Sequence, residues 1–268
     1  MERLFASNFT AAHSYAEPYA GGASLALSLL RTNKVSEIFL NDLDTSVYAF
    51  WWSILTRTDD FLRLLRKRTV TVEEWGRQRS TYANPRGASR LSLGFSFFFL
   101  NRTNHSGIMN GGIIGGKAQR GEWLIDARFN KPELERRILA IAQLRHRIQI
   151  SNLDALDFLR TRRFGRNTLV YCDPPYYRRG PLLYLNSYTS QDHALVHQAL
   201  TASRMRWLVS YDDVPEIRRL YSSCRSRRFK LLHTARDTRV GKEVMYFSPD
   251  LKVPRLPSSS IAFSREST

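Results

Sequence analysis

The sequence has 268 residues, of which 43% are hydrophobic and 12% aromatic, and a formal net charge of +17. Such apolar content supports a packed core and excludes a globally disordered chain. The length suits one large α/β domain, or that domain with a smaller insertion. The basic excess, with a pI near 10.4, points to a polyanionic partner, because neutralising phosphates releases counterions whatever the base sequence. A membrane is the weaker reading, since no run of about 18 apolar residues occurs. The start, MERLFASNFTAAHSYAEP, has neither a basic n-region nor an apolar h-region. Two cysteines, Cys172 and Cys224, are too few for a disulfide framework or a cysteine-built zinc site, so a reducing compartment and no metal are expected. His193 and His197 stand i,i+4 in DHALVHQAL but lack an HExxH glutamate and a third ligand. They read as ordinary helix surface.

In chain order, residues 14–18 (SYAEP) read as a strand entering a glycine turn, YAGGAS, and SLALSLL continues as an apolar helix. SEIFL at 36–40 alternates as a second strand and ends in NDLD; TSVYAFWWSIL at 45–55 has helical length and period. Residues 57–150 are dense in Arg and Lys. They hold an apolar helix at 91–100 (LSLGFSFFFL), a glycine-rich loop, GIMNGGIIGGKAQRGEW, and a closing amphipathic helix, PELERRILAIAQLRHRI. Strand–helix alternation then resumes with IQIS at 148–151, TLVYC at 168–172, a helix at 191–203 and WLVSY at 207–211. FKLLHT and EVMYFS read as an antiparallel pair. Six or seven strands interleaved with helices predict a doubly wound sheet interrupted by the basic block. The expected division is a sheet domain over 1–56 and 147–250, an insert over 57–146 and a loose Pro- and Ser-rich tail over 251–268.

The sharpest chemical signal is Asp173-Pro174-Pro175-Tyr176, directly after TLVYC. In an open α/β sheet ligands bind beyond the carboxyl ends of the strands, where this tetrad falls. Consecutive prolines stiffen the loop while it presents a carboxylate and an aromatic face. An exocyclic amine is a poor nucleophile because its lone pair is delocalised into the ring. Hydrogen bonds from its two N–H groups to Asp173 and to a backbone carbonyl, that of Pro174, favour a pyramidal nitrogen, and Tyr176 can stack on the base. A second signal, Glu17-Pro18-Tyr19-Ala20-Gly21-Gly22, lies between a strand and a helix, where glycines let the backbone approach a ligand. Asp42, ending the next strand, suits a ribose diol or a helix start. Asp154, after IQIS, suits either a nucleoside adenine or the cap of the following helix.

YAEPYAGGASLAL, FLNDLD, FFFLNRTNHSGIMNGG, RFNKPEL, ISNLDALDFL, YCDPPYY, LYLNSYTSQDH and WLVSYDD together resemble the Dam-like, or D12-class, adenine-specific DNA methyltransferases over residues 14–213. The resemblance implies a Rossmann-like class I fold, with a seven-stranded, mostly parallel sheet and a helical target-recognition insert. It implies that Glu17, Pro18, Tyr19, Gly21, Gly22 and Asp42 bind S-adenosyl-L-methionine, with Asp154 and Asp173 beside them. By the same resemblance Asp173, Pro174, Pro175 and Tyr176 are the catalytic tetrad, and Asn101, Arg102, Asn104 and Ser106 contact double-stranded DNA. Charge adds Lys117 and Arg120, which with Arg102 flank the glycine-rich loop. A cytoplasmic, nucleoid-associated enzyme of restriction-modification, orphan or phage type is implied, with a cognate restriction endonuclease as partner in the first case.

Family members usually begin with a PGGK- or AGGK-like segment that holds the cofactor's methionine end. Here 16 residues precede Glu17, none of them matches, and no lysine occurs before Lys34. Either the true start lies upstream or part of the cofactor site has been lost. Two further readings are open: a degenerate relative that binds DNA without holding the cofactor well, and an N-methyltransferase acting on RNA bases. Asp in the first position of the tetrad and the insert's resemblance favour DNA adenine.

Overall fold

In the computed structural model, which describes residues 2–9, 13–162, 164–177, 188–233 and 239–254, strand β1 (Ser14–Glu17) has parallel neighbours on both sides. Its partners are β2 (Glu37–Asn41), in register Ser14 to Glu37, and β4 (Thr168–Cys172), in register Ser14 to Thr168. β4 is buried at all five positions, as expected of a strand covered on both faces, and that is why TLVYC is an unbroken run without charge. β5 (Arg206–Asp212) adds in parallel to β4, and β7 (Arg239–Phe247) then pairs antiparallel with both β5 and β6 (Arg225–His233). With β3 (Ile148–Ser151) at the other edge, the order is β3-β2-β1-β4-β5-β7-β6. The seven-stranded, mostly parallel sheet is therefore the expected one, with its order reversing between β1 and β4.

By packing, the chain divides into two compact units, Met1–Asp42 with Leu153–Glu266, and Leu43–Asn152. The first holds the helices α1 (Glu2–Asn8), α2 (Ser24–Arg31), α8 (Ala155–Thr161), α9 (Ser190–Thr201) and α10 (Pro215–Leu220). Its core gathers Trp207, Tyr211, Tyr221, Phe158 and Val244 on the sheet. The second holds α3 (Thr45–Thr56), α4 (Thr58–Lys67), α5 (Val72–Ala83), α6 (Arg90–Thr103) and α7 (Lys131–Gln143). Its limits differ from the 57–146 read for the insert because α3 packs with α4 and α6. Phe50 of α3 stacks on Phe98 of α6 at 5.8 Å, and Phe61 of α4 meets both Phe95 and Phe98. Gly94 permits that approach, since a Cβ there would lie 2.4 Å from the Ala49 carbonyl oxygen.

Two expectations need correction. His193 is not surface: it is 1% exposed, because α9 turns the stripe His193, Val196 and Leu200 inward. Its Nδ1 lies 3.2 Å from Tyr211 Oη, while His197, half-buried, meets the Tyr221 ring edge-on at 4.6 Å. The start of the expected tail is held in place. Arg225 donates to the carbonyls of Ser248, Pro249 and Leu251, Arg227 to that of Pro254, and Asn8 exchanges bonds with Lys252. Residues 255–268 of that tail, Thr234 of FKLLHT and the part of LYLNSYTSQDH before Tyr188 lie outside the described residues. No helix among the described residues is long and apolar enough to cross a membrane.

Candidate active site

Asp173 is the first residue beyond β4, and Ser210 of the adjacent β5 donates its hydroxyl to Asp173 Oδ1 at 2.7 Å. Tyr171 Oη lies 3.0 Å from the same serine oxygen. A serine hydroxyl carries one proton, and Ser210 gives its proton to the carboxylate. Tyr171 must therefore be the donor to Ser210, and the three groups form a directed chain ending on Asp173. Pro174 is buried and Pro175 half-buried. The next residues are tied as well: Tyr176 donates its hydroxyl to Glu243 Oε1 at 2.6 Å, and the Tyr177 amide donates to Asp212 Oδ1 at 3.0 Å.

Across the reversal of strand order, β1 ends at Glu17, which is 5% exposed. Its Oε1 accepts from Tyr15 Oη at 2.9 Å. Burial first, then the charge of Glu17, holds the Tyr15 phenol well above its usual range, with Asp173 adding to the same effect. Tyr15 is thus a neutral donor to Glu17. In the turn after β1, Gly21 takes φ +47° and its amide donates to Asp42 Oδ2 at 2.9 Å. Among the described residues nothing lies within 4 Å of where a Cβ would stand on Gly21 or Gly22. The turn thus leaves open room beside a carboxylate, which fits a ligand carrying a ribose.

Asn41, 1% exposed, ties this turn to the loop after β3. Its Nδ2 donates to the Pro18 and Leu153 carbonyls at 3.0 and 2.9 Å, and its Oδ1 accepts from the Leu153 amide at 3.0 Å. Asp154, next along, caps α8 by accepting from the Leu156 amide at 2.8 Å. Tyr19 reaches Tyr188, hydroxyl to hydroxyl, at 3.1 Å. Thus Glu17, the Pro18–Gly22 turn, Asp42, Asp154 and the Asp173–Tyr176 loop follow the carboxyl ends of strands in one sheet.

The residues read as DNA contacts belong to the end of α6 and the loop after it. Asn104 is fully buried; it accepts from Trp75 Nε1 at 2.7 Å and donates to the carbonyls of Ile108 and Met109. Its amide is therefore committed to holding the loop, which corrects its reading as a DNA contact. Asn101 donates to the Gly107 carbonyl at 3.3 Å. Arg128 donates to the carbonyls of Asn101 and Asn104. Burial, followed by the charges of Arg128 and Arg137, lowers Arg102 to about 10, which leaves it protonated at neutral pH. Ser106, in the left-handed region at φ 55°, and Lys117 and Arg120 are exposed. Gln119 braces the loop, donating to the carbonyls of Ile114 and Gly116 and accepting from the Ile125 amide.

Ser210, Asp212, Asn41 and Glu243 were not singled out in sequence. The first three stand within WLVSYDD and FLNDLD, so the motifs contained them without showing which atoms they meet. Glu243, the one acid in RVGKEVMYF, carried no signal of its own. A groove of about 500 Å³ in the second unit, lined by Thr56, Asp60, Leu139 and His146 among others, contains none of the candidate residues. Among the described residues no group of three or more His, Cys, Asp or Glu is gathered to hold a metal ion.

A sheet of this order, with its candidate site beyond the carboxyl ends where the order reverses, is a doubly wound, Rossmann-like α/β sheet. The chain belongs to the D12 class N6 adenine-specific DNA methyltransferase family, whose model matches residues 1–239. It is thereby a methyltransferase. Similar solved structures include a putative methylase, HI0767, from Haemophilus influenzae (11% identity, covering 92% of this chain and 91% of that one, TM-score 0.34). They also include M. capricolum TrmK in complex with S-adenosyl-homocysteine (9%, 98% and 75%, TM-score 0.41). A third is the rRNA methyltransferase AviRa from Streptomyces viridochromogenes (12%, 92% and 80%, TM-score 0.38). Likenesses this distant carry no argument about substrate. No curated protein matches the chain.

Proposed function

We propose that the protein transfers a methyl group from S-adenosylmethionine to N6 of an adenine flipped out of duplex DNA. The observation that carries this reading is the Asp173 carboxylate, oriented by Ser210 at 2.7 Å, across the strand-order reversal from the Glu17–Gly22 turn. Bound at that turn, S-adenosylmethionine would supply an electrophilic methyl on a positively charged sulfur, the methyl–sulfur bond breaking as the nitrogen–carbon bond forms and the neutral thioether leaving. Asp42 binds the ribose hydroxyls and Asp154 the adenine of this donor, while Gly21 and Gly22 let the backbone come close. Asp173 accepts one N–H of the target amine and the Pro174 carbonyl accepts the other. The nitrogen then pyramidalises and its lone pair is freed for direct displacement. After transfer the nitrogen carries an excess proton, and Asp173, already its acceptor, receives it. Most of the rate enhancement in such a step comes from orientation and from dipoles fixed in advance. Base extrusion costs a few kcal/mol, on the order of one stacking and pairing loss, and stacking on Tyr176 offsets part of it. In the second unit, Arg102, Ser106, Lys117 and Arg120 supply phosphate and groove contacts.

The test is transfer of labelled methyl from S-adenosylmethionine to unmethylated duplex DNA and, in parallel, to structured RNA, by the wild type and by Asp173→Ala. DNA labelling that Asp173→Ala abolishes without losing DNA binding is the expected result. Undiminished labelling by that variant overturns the assignment of Asp173, and labelling of RNA alone overturns the substrate.

A further inference from the structure

The loop carrying Asp173 to Tyr177 is fastened to two neighbouring strands by polar side chains, and β5 and β7 place two of these opposite each other. Asp212 and Glu243 are cross-strand partners in register. One accepts the Tyr177 amide, the other the Tyr176 hydroxyl. Glu243 is only 4% exposed, and Val244, Tyr246 and Phe247, which follow it in the strand, are all buried. A carboxylate in such a place is costly unless hydrogen bonds compensate it, so stability alone would favour an apolar side chain there. A phenol donating to a carboxylate at 2.6 Å is a short, charge-assisted bond. It fixes the far end of the Tyr176 ring, while the Tyr177 anchor fixes the backbone beside its near end. The bond fixes where the ring's long axis points, and because a phenol O–H prefers to lie in the ring plane, its direction toward Glu243 also biases the angle of that plane. A base that stacks on the ring finds part of the ring's freedom already lost.

We propose that Glu243 is a positioning residue for methyl transfer, acting through the Tyr176 hydroxyl to set the ring that receives the target base. The inference rests on the reading of Asp173 to Tyr176 as the catalytic loop. It adds a residue from β7, far along the chain from the tetrad, and it gives the Tyr176 hydroxyl a role apart from the ring's stacking face.

The experiment is a double-mutant cycle on the full chain with Glu243→Leu, Tyr176→Phe and the pair together. Kinetic constants come from labelled methyl transfer to unmethylated duplex DNA. Glu243→Gln, which retains an acceptor oxygen, serves as the conservative variant. Each single change is expected to lower kcat about 10-fold, and the double variant should fall no further than the worse single, because both remove the same bond. KM for S-adenosylmethionine should stay within about twofold in all of them, and Glu243→Gln should keep kcat within about threefold of wild type. Wild-type kcat in Glu243→Leu, or a double loss near the product of the singles, about 100-fold, overturns the proposal. If Glu243→Leu does not fold, Tyr176→Phe decides alone, and wild-type kcat in that variant overturns it equally. An active wild type with an inactive Asp173→Ala but an unimpaired Glu243→Leu refutes this inference and leaves the function standing. A wild type that moves no methyl to DNA refutes both.

Discussion

Glu17 and Asp173 flank the point at which the strand order reverses: β1 ends on the first and β4 runs into the second, the two strands paired in parallel with Ala16 opposite Val170. Burial keeps the Tyr15 phenol protonated, and both charges add to that effect. The site is thus organised around fixed carboxylates whose hydrogen bonds come from residues inside the sheet. Removing those bonds one at a time separates their roles.

Ser210→Ala takes the donor from Asp173 and the acceptor from Tyr171. Leaving two partly buried groups without this partner should cost ~1–3 kcal/mol of stability, read from urea unfolding. If Ser210 orients Asp173 for the reaction, kcat should also drop about 10-fold while KM for S-adenosylmethionine stays level. Ser210→Thr, which keeps the hydroxyl, should recover most of both losses.

Gly21→Ala separates backbone strain from steric clash. Nothing among the described residues obstructs a Cβ there, yet the residue sits at φ +47°. The left-handed conformation costs an L-residue roughly 1–2 kcal/mol. Relaxation of that strain would carry the Gly21 amide away from Asp42. Weaker binding of S-adenosylmethionine by calorimetry is expected, and Asp42→Ala should weaken it as well.

Asn104 and Lys117 should behave oppositely. Asn104→Ala strands the Trp75 indole N–H and removes the bonds to Ile108 and Met109, so its first effect is a stability loss of about 2 kcal/mol or more. Lys117→Ala or Arg120→Ala touches exposed side chains and should leave unfolding unchanged. Each should weaken duplex binding evenly across sequences and reduce the slope of log affinity against log salt by about one. Filter binding across a salt series checks this.

Acid should destabilise the first unit through His193. Burial lowers its pKa from the ordinary 6.5, with Asp212 and Asp192 opposing that shift only in part. A histidine whose folded pKa is depressed binds fewer protons folded than unfolded. Its contribution is fully present above the unfolded value and is lost as pH falls below about 6.5 through the folded pKa. His197 shifts in the same direction by burial. Unfolding free energy measured between pH 8 and pH 5 should fall with acidification, and less steeply in a His193→Gln variant. An identical pH dependence in that variant would contradict this account of His193.

Strands buried on both faces, such as TLVYC, were legible because such strands need uninterrupted apolar residues, and the glycine turn and prolines mark where chain direction changes. α4 and α5 were less legible because their pattern lay under a dense basic composition. α3 reads as a helix from its own period, but its membership in the second unit depends on Phe50, Phe97 and Phe98 meeting, which no local pattern encodes. His193 was misplaced for a related reason. An i,i+4 pair looks the same on a wet face and a dry one until the sheet beneath it is known.

From the order of its residues alone, the chain determined its strands, the tetrad after β4, the glycine turn after β1 and its membership by motif in a methyltransferase family, because these depend on local periodicity, backbone stiffness and residue chemistry. Only the tertiary structure decided that Ser210 holds Asp173, that Glu243 holds Tyr176 and that Asn104 holds its own loop. Those partners are 37, 67 and, for Asn104 and Trp75, 29 residues apart. Hydrogen bonds between such distant residues exist only once parallel strands and packed helices have brought them within reach.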